Sequence, residues 1–384
     1  MLSRPMFDRF ALGPVTWYGV LIVAAIVIGL ALSIREAWKR GYSSDLMLDV
    51  LLFGIPLAII GARLYYVFFR FGDFSEDLLS IFNLREGGLA IYGGILGGLL
   101  ACRIVARRHR IPLGRLLDMI APSLALGQAI GRWGNYINME AYGLRISDEA
   151  LQFFPFAVEV PLGNVWYWHM ATFFYESCWC VLVFLVLQLL VRRHIRRDGD
   201  GFLWYLLLYC SGRTVIEGLR DDSLTFISEF VRISQVLSAI CALCVVVVFF
   251  VRIRDRFSVV TLLPLVTAVV AFAEVFLGEF ERGAYSTLFP VCQFFLFLLL
   301  VLQVLTIVFC SMDSGYFETR VALLMMPNMF FVIMLILTGF GRDNLDNTYY
   351  VTLRQCTCML QIILSGWLCC YYFSPLSRGR EDGE

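Results

Sequence analysis

Charge is scarce in this chain. Asp, Glu, Lys and Arg make up 16% of its 384 residues against 59% apolar residues, and the mean hydropathy is +0.76. A soluble chain of this length needs far more charge to cover its surface, which excludes a water-soluble globular enzyme. A surplus of either sign is lacking too: Lys+Arg and Asp+Glu both number 31, so nothing points to nucleic acid or to an acidic partner. Histidine is scarcer still, and His109, His169 and His194 form no ligand pair. The 12 cysteines lack the setting of a disulfide framework. Cys178, Cys180, Cys241, Cys244, Cys292 and the pairs at 356/358 and 369/370 lie in or beside apolar runs, where a thiol behaves as a small hydrophobe. Cys241 and Cys244 have redox or zinc spacing, but without a nearby histidine or a soluble scaffold they read as core filler. No metal and no cofactor are expected. The first apolar run lacks a basic patch followed by a small-residue cleavage site, so no cleavable signal peptide is expected.

Long apolar runs are what the chain has. Eleven candidate spans lie near 15–34, 46–69, 88–106, 116–131, 173–191, 202–219, 232–251, 258–277, 286–310, 319–340 and 352–373. The expected fold is all-α, a polytopic transmembrane helical bundle. Basic residues cluster in alternate connections: Arg35, Lys39 and Arg40; Arg103, Arg107, Arg108, Arg110 and Arg115; Arg192, Arg193, Arg196 and Arg197; Arg252, Arg254 and Arg256. The positive-inside rule makes that side cytoplasmic and puts the amino terminus outside, with Arg378 and Arg380 of the tail inside. Arg320 alone marks the connection near 312–320, so orientation is weakly set for the last four spans. Trp17, Trp133, Trp166, Trp168, Trp204 and Trp367 fall near predicted span ends, as an aromatic belt requires. The segment 132–172 and the segment from Arg213 to Arg232 are expected as the two long outer connections, and any chemistry is expected there.

The strongest feature runs from Gly131 to Gly143, with Arg132, Asn135, Asn138 and Glu140 directly after an apolar run. An arginine at a membrane boundary is costly unless it is paired or meets an anion. If the helix continues, Arg132 and Asn135 share a face, and Gly131 and Gly134 allow close approach of backbone or ligand. A capped helix end with an interfacial arginine is the plainer alternative. In the second cluster, Arg213, Glu217 and Arg220 fall at i, i+4 and i+7, hence on one helical stripe. Two guanidiniums about one carboxylate suit a phosphate, though an internal salt bridge that fixes helix packing reads equally from the spacing. Glu176 opens the fifth span, where the helix dipole is explanation enough. Gly93/Gly97 and Gly94/Gly98 read as helix-packing repeats. Glu274 lies inside an appended span, as an ion or proton site or nearer the membrane edge.

Gly131 to Gly143 resembles the signature of bacterial prolipoprotein diacylglyceryl transferases: glycine-arginine-x-glycine-asparagine-aromatic-x-asparagine, then glutamate and a closing glycine. Five further stretches agree in order: Trp17-Tyr18-Gly19, Gly61-Ala62-Arg63, Arg85-Glu86-Gly87-Gly88, Thr172 to Ser177, and Gly212-Arg213 through Glu217 to Arg220 with Asp222-Ser223. The resemblance covers roughly residues 10–252 and implies a seven-span core with its amino terminus outside. It also implies the reaction. The diacylglyceryl group of phosphatidylglycerol, a membrane lipid, moves to the thiol of the lipobox cysteine in a prolipoprotein signal peptide, and glycerol phosphate leaves. The expected place is the bacterial inner or plasma membrane, with the site toward the outer face.

By the same resemblance Arg132, Asn135, Glu140, Tyr92, Arg213 and Arg220 carry catalysis, and Tyr18, Arg63, Asn138, Gly143 and Glu217 bind substrate. Either Arg213 or Arg220 would join Arg132 at the phosphate. Two positions depart from the family pattern. Tyr92 stands where many relatives have histidine, and a tyrosine is a poor base at neutral pH. It is expected to hydrogen-bond substrate or Arg132, leaving Glu140, solvent or the phosphate itself as base. Met170-Ala171 replaces the usual histidine-proline, with His169 one residue earlier. Residues 1–256 are thus expected as the transferase-like core and 257–384 as an additional four-span region without a family counterpart. Two other readings are an anion transporter, for which internal repeats are lacking, and an inactive scaffold, which the intact signature opposes.

Overall fold

In lipid, an apolar segment has only its own backbone to satisfy its amide groups, so it becomes helical. The computed structural model describes residues 4, 10–12, 15–74, 77–83, 87–192, 197–221, 232–253, 259–282, 289–314, 319–339 and 347–372. Arg85, Glu86, Asp222, Ser223, Arg193, Arg196, Arg254, Arg256, Arg378 and Arg380 lie outside the described residues. Eleven α-helices stand among the described residues, one for each expected span. They are α1 (Trp17–Lys39), α2 (Asp45–Phe69), α3 (Ile91–Arg108), α4 (Leu113–Asn138), α5 (Thr172–Val186) and α6 (Asp200–Gly218), then α7 (Ile233–Val251), α8 (Val259–Arg282), α9 (Phe289–Ser314), α10 (Thr319–Gly339) and α11 (Asn347–Trp367). Seven contain stretches long and apolar enough to cross a membrane unaided: α1, α2, α5, α7, α8, α9 and α11. Large apolar side chains such as Val23, Leu52, Leu64, Phe294 and Phe330 are exposed, the signature of a lipid-facing surface. The protein is an all-α multi-pass membrane protein.

The chain forms two compact units. One comprises Gly19–Gly131 and Phe184–Phe202. Within it α2 and α3 lie backbone to backbone: a Cβ on Gly93 would overlap the Gly61 carbonyl, and one on Gly97 would overlap that of Leu57. Only one of the two small-residue repeats makes this interface, because Gly98 faces open space and Gly94 has ordinary contacts. Three of the connections bearing basic clusters meet within this unit. Arg115 donates to Asp198 (3.0 Å) and to the Tyr42 hydroxyl (3.1 Å), and Glu36 pairs with Arg40 (3.2 Å) and Arg192 (3.3 Å).

The other unit comprises Met1–Tyr18, Arg132–Val183 and Leu203–Glu384. Here two expectations need correction. The segment 132–172 was expected as loop, but α4 continues to Asn138. Then comes an antiparallel hairpin, β3 (Ala157–Leu162) with β4 (Val165–Met170), in register from Ala157↔Met170 to Leu162↔Val165; a shorter pair, β1 (Phe10–Leu12) and β2 (Val15–Thr16), precedes α1. The stripe of Arg213, Glu217 and Arg220 was expected on one helix, but α6 ends at Gly218 and Arg220 pairs its backbone with Gly143. Trp204, near the start of α6, is buried against Phe249.

In the appended region α11 packs on α7 and α8. It carries buried polar groups at Arg354, Gln355, Gln361 and Ser365. Glu274 of α8 is fully buried in an ion pair with Arg354. Gln303 and Asn328 both donate to Gln361.

Candidate active site

Three helices of the second unit bring charges together in an alternating ladder. From α4, Arg132 donates through Nη2 to Glu176 Oε1 of α5 at 2.6 Å. From α6, Arg213 donates through Nη1 to Glu176 Oε2 at 2.7 Å and through Nη2 to Glu217 Oε2 at 2.6 Å. Arg220, two residues past α6, comes within 3.6 Å of the same Glu217 oxygen. The carboxylates are buried, with 3% and 4% of their side chains exposed, whereas Arg132, Arg213 and Arg220 keep 20%, 13% and 14%. The Tyr209 hydroxyl adds a 3.4 Å contact to Glu176. Removing one ion of such a set leaves an uncompensated charge at low dielectric, typically a cost of about 3–5 kcal/mol.

The ladder explains why the helix persists into the polar signature. Arg132 finds Glu176, and Trp133 Nε1 donates to Ser177 Oγ at 3.2 Å, so two successive residues of α4 are fastened to α5. Beyond the helix end, Glu140 accepts from Asn135 Nδ2 (3.0 Å) and Asn138 Nδ2 (3.3 Å) through Oε1. Met139 and Ala141 flank it with φ of 53° and 57°, a left-handed conformation that costs a non-glycine residue on the order of 1 kcal/mol. The backbone around Glu140 is therefore strained into place. Asn135 also accepts a long 3.5 Å contact from Arg132 Nη1, relaying the amide–carboxylate group to the ladder.

Gly143 closes the signature where three segments meet. A Cβ there would lie 2.6 Å from Met170 Cβ, 2.7 Å from Thr172 Cγ2 and 2.9 Å from the Leu219 carbonyl, which a side chain could enter only by parting them. Its carbonyl accepts from His169 Nδ1 at 2.8 Å. Gly134 serves Tyr18, whose ring lies where its Cβ would stand. Gly131 by contrast has only ordinary contact with Ile22.

Two expected site residues belong to the first unit. Arg63 donates to five main-chain carbonyls: Ile81 (2.7 Å), Ser80 (2.8 Å), Gly87 (2.8 Å), Gly88 (3.1 Å) and Asn83 (3.2 Å). It clamps the connection between α2 and α3. Gly87 and Gly88, at φ of 85° and 73°, adopt the turn that only glycine enters cheaply. Tyr92 opens α3 half-buried, with its ring 6.3 Å from that of Tyr65.

The residue that spacing alone missed is Glu176. A carboxylate at a helix start has an inexpensive local explanation, and its two arginine partners lie 44 and 37 positions away. Its signal was its place inside the Thr172 to Ser177 stretch.

The model of the prolipoprotein diacylglyceryl transferase family matches residues 8–251, which include every residue of the ladder. The chain belongs to that family. Among its relatives is the phosphatidylglycerol–prolipoprotein diacylglyceryl transferase of Enterococcus faecalis, 45% identical over 246 residues, or 63% of this chain and 88% of the relative. The Bacillus velezensis and Clostridium kluyveri proteins of the same name are each 41% identical, covering 64% and 63% of this chain and 92% and 93% of their own lengths. Like the family, this chain is a membrane transferase in lipoprotein biosynthesis. Residues beyond 251, including α8 to α11, fall outside the family segment.

Proposed function

We propose that this protein transfers the diacylglyceryl group of phosphatidylglycerol to the lipobox cysteine of a prolipoprotein, at the outer face of a bacterial plasma membrane. The observation that carries the assignment is the ladder: three guanidiniums alternating with two carboxylates, largely shielded from solvent, with the family signature at one end. Arg132 and Arg220 hold the headgroup phosphate. Arg213 has both Nη groups on carboxylates and serves as the hub that spaces them.

The chemistry follows from charge. The cysteine sulfur forms a bond to the glyceryl carbon, the bond from that carbon to the phosphate oxygen breaks, and the electron pair leaves with glycerol phosphate. A phosphodiester monoanion becomes a monoester, so negative charge grows on the leaving oxygens, where fixed guanidinium forks in a poorly hydrated site stabilise it. The thiol proton passes to water or to the departing monoester, whose second ionisation lies near about 6. Asn135, Asn138 and Glu140 orient the glycerol headgroup, Tyr18 packs beside them, and Gly143 shapes the loop.

Full-length protein in vesicles of phosphatidylglycerol with a lipobox peptide should yield a thioether-linked diacylglyceryl peptide and glycerol phosphate in equal amounts. No thioether, under conditions where the Enterococcus faecalis relative forms it, would reject the function. Transport of an anion across the same vesicles without peptide modification would favour a transporter.

A further inference from the structure

We propose that the appended helices position Arg220 for the lipid phosphate, with Glu279 of α8 and Gln355 of α11 as positioning residues that act through Arg232; this rests on the assignment of Arg220 above. Arg220 lies just past α6 with its backbone bridged to Gly143, and a further contact holds its carbonyl. Its carbonyl accepts from Arg232 Nη2 at 2.9 Å, and Arg232 Nη1 lies 3.8 Å from Glu279 Oε2. Glu279 Oε1 accepts from Gln235 Nε2 of α7 (2.8 Å) and Gln355 Nε2 (2.6 Å). Gln235 Nε2 also reaches the Thr214 carbonyl of α6 at 3.1 Å. A Cβ on Gly218, the last residue of α6, would lie 2.7 Å from Glu279 Oε1 and 3.3 Å from Gln355 Oε1. The carboxylate therefore sits directly behind the helix end that delivers Arg220. Tyr349 of α11 packs against the cluster of Leu219, Ile146, Ala157 and Met170 beside it.

This arrangement is not generic packing. Glu279 and Gln235 are fully buried, and a carboxylate in a membrane helix is expensive. It also faces a helix carboxyl end, where the dipole disfavours negative charge. Arg232 supplies a compensating charge through Nη1 at 3.8 Å, while its Nη2 donates to the Arg220 carbonyl. Helices outside the family segment thus complete the support of a residue inside it.

The test uses full-length protein in phosphatidylglycerol vesicles with lipobox peptide. Glu279→Gln and Arg232→Gln should each lower kcat about tenfold, with KM for peptide unchanged. The double variant should be no slower than either single, because both act through one contact. On an Arg220→Lys background Glu279→Gln should add nothing. Asn328→Leu, which removes a hydrogen bond to Gln361 elsewhere in the module, should lower Tm without changing kcat or KM. Normal kcat in both Glu279→Gln and Arg232→Gln, with Arg220→Lys impaired, would overturn the inference and leave the transferase assignment standing. Should Glu279→Gln fail to fold, Arg232→Gln carries the same comparison alone. A fully active Arg220→Lys, or an inactive wild type, would instead remove the reading beneath it.

Discussion

Two arginine–carboxylate systems sit among apolar helices here, and they differ in how far they are enclosed. In the ladder, Arg132, Arg213 and Arg220 alternate with Glu176 and Glu217, and the guanidiniums stay partly exposed. In the appended region, Arg354 and Glu274 match one to one, with side-chain exposures of 1% and 0%. The Arg354 fork takes Glu274 through Nε at 3.0 Å and also through Nη2, and its Cζ lies 5.5 Å from the Tyr350 ring. The fully enclosed pair gives packing, whereas the partly exposed guanidiniums of the ladder are the ones proposed to meet an anion.

The sharpest way to break the contrast is to exchange arginine for lysine in both places. Arg132→Lys should lower kcat/KM at least about 100-fold, since a point charge replaces a planar fork, whereas Arg354→Lys should leave turnover of the folded protein unchanged. Equal effects in the transferase assay would erase the distinction. Next in size, Arg354→Met alone should destabilise by about 3–5 kcal/mol in thermal or denaturant unfolding. Combining it with Glu274→Leu should recover most of that loss, because an apolar pair of similar volume replaces a buried ion pair at little net cost. The same double replacement at Arg132 and Glu176 should restore no activity. Smaller still, Gly134→Ala should displace the Tyr18 ring and cost about 1–3 kcal/mol, while Gly98→Ala, facing open space, should be neutral or slightly stabilising. Smallest is Tyr92→Phe, for which a reduction of about threefold is expected if the hydroxyl contributes one neutral hydrogen bond; unchanged rates would leave Tyr92 as packing.

The same contrast marks what could be read from the sequence. Eleven helices were legible because long apolar runs admit few alternatives in lipid. Their polar ends were not. Residues 132–138 carry two glycines' worth of turn chemistry with Gly131 and Gly134, yet they stay helical because Glu176 and Ser177 of α5 hold them. Arg220 matched a helical spacing, but Gly218 ends the helix and Gly143 captures the arginine's backbone instead. Glu274 was visible as a lone carboxylate, whereas its partner lies 80 residues on and follows no local period. The signature residues Arg132, Asn135, Asn138, Glu140 and Gly143 were legible as a group. Glu176, which joins two of the site's arginines, was recognisable only as part of a motif.

The claim on which the rest depends is that Arg132 and Arg220 grip a lipid phosphate while Arg213 stays on its carboxylates. A structure of the full-length protein with phosphatidylglycerol bound in a lipid disc tests it directly. The headgroup phosphate should lie within hydrogen-bond distance of Arg132 and Arg220, with both Arg213 pairs to Glu176 and Glu217 intact. A headgroup bound away from these guanidiniums, or one that draws Arg213 off its carboxylates, would contradict it.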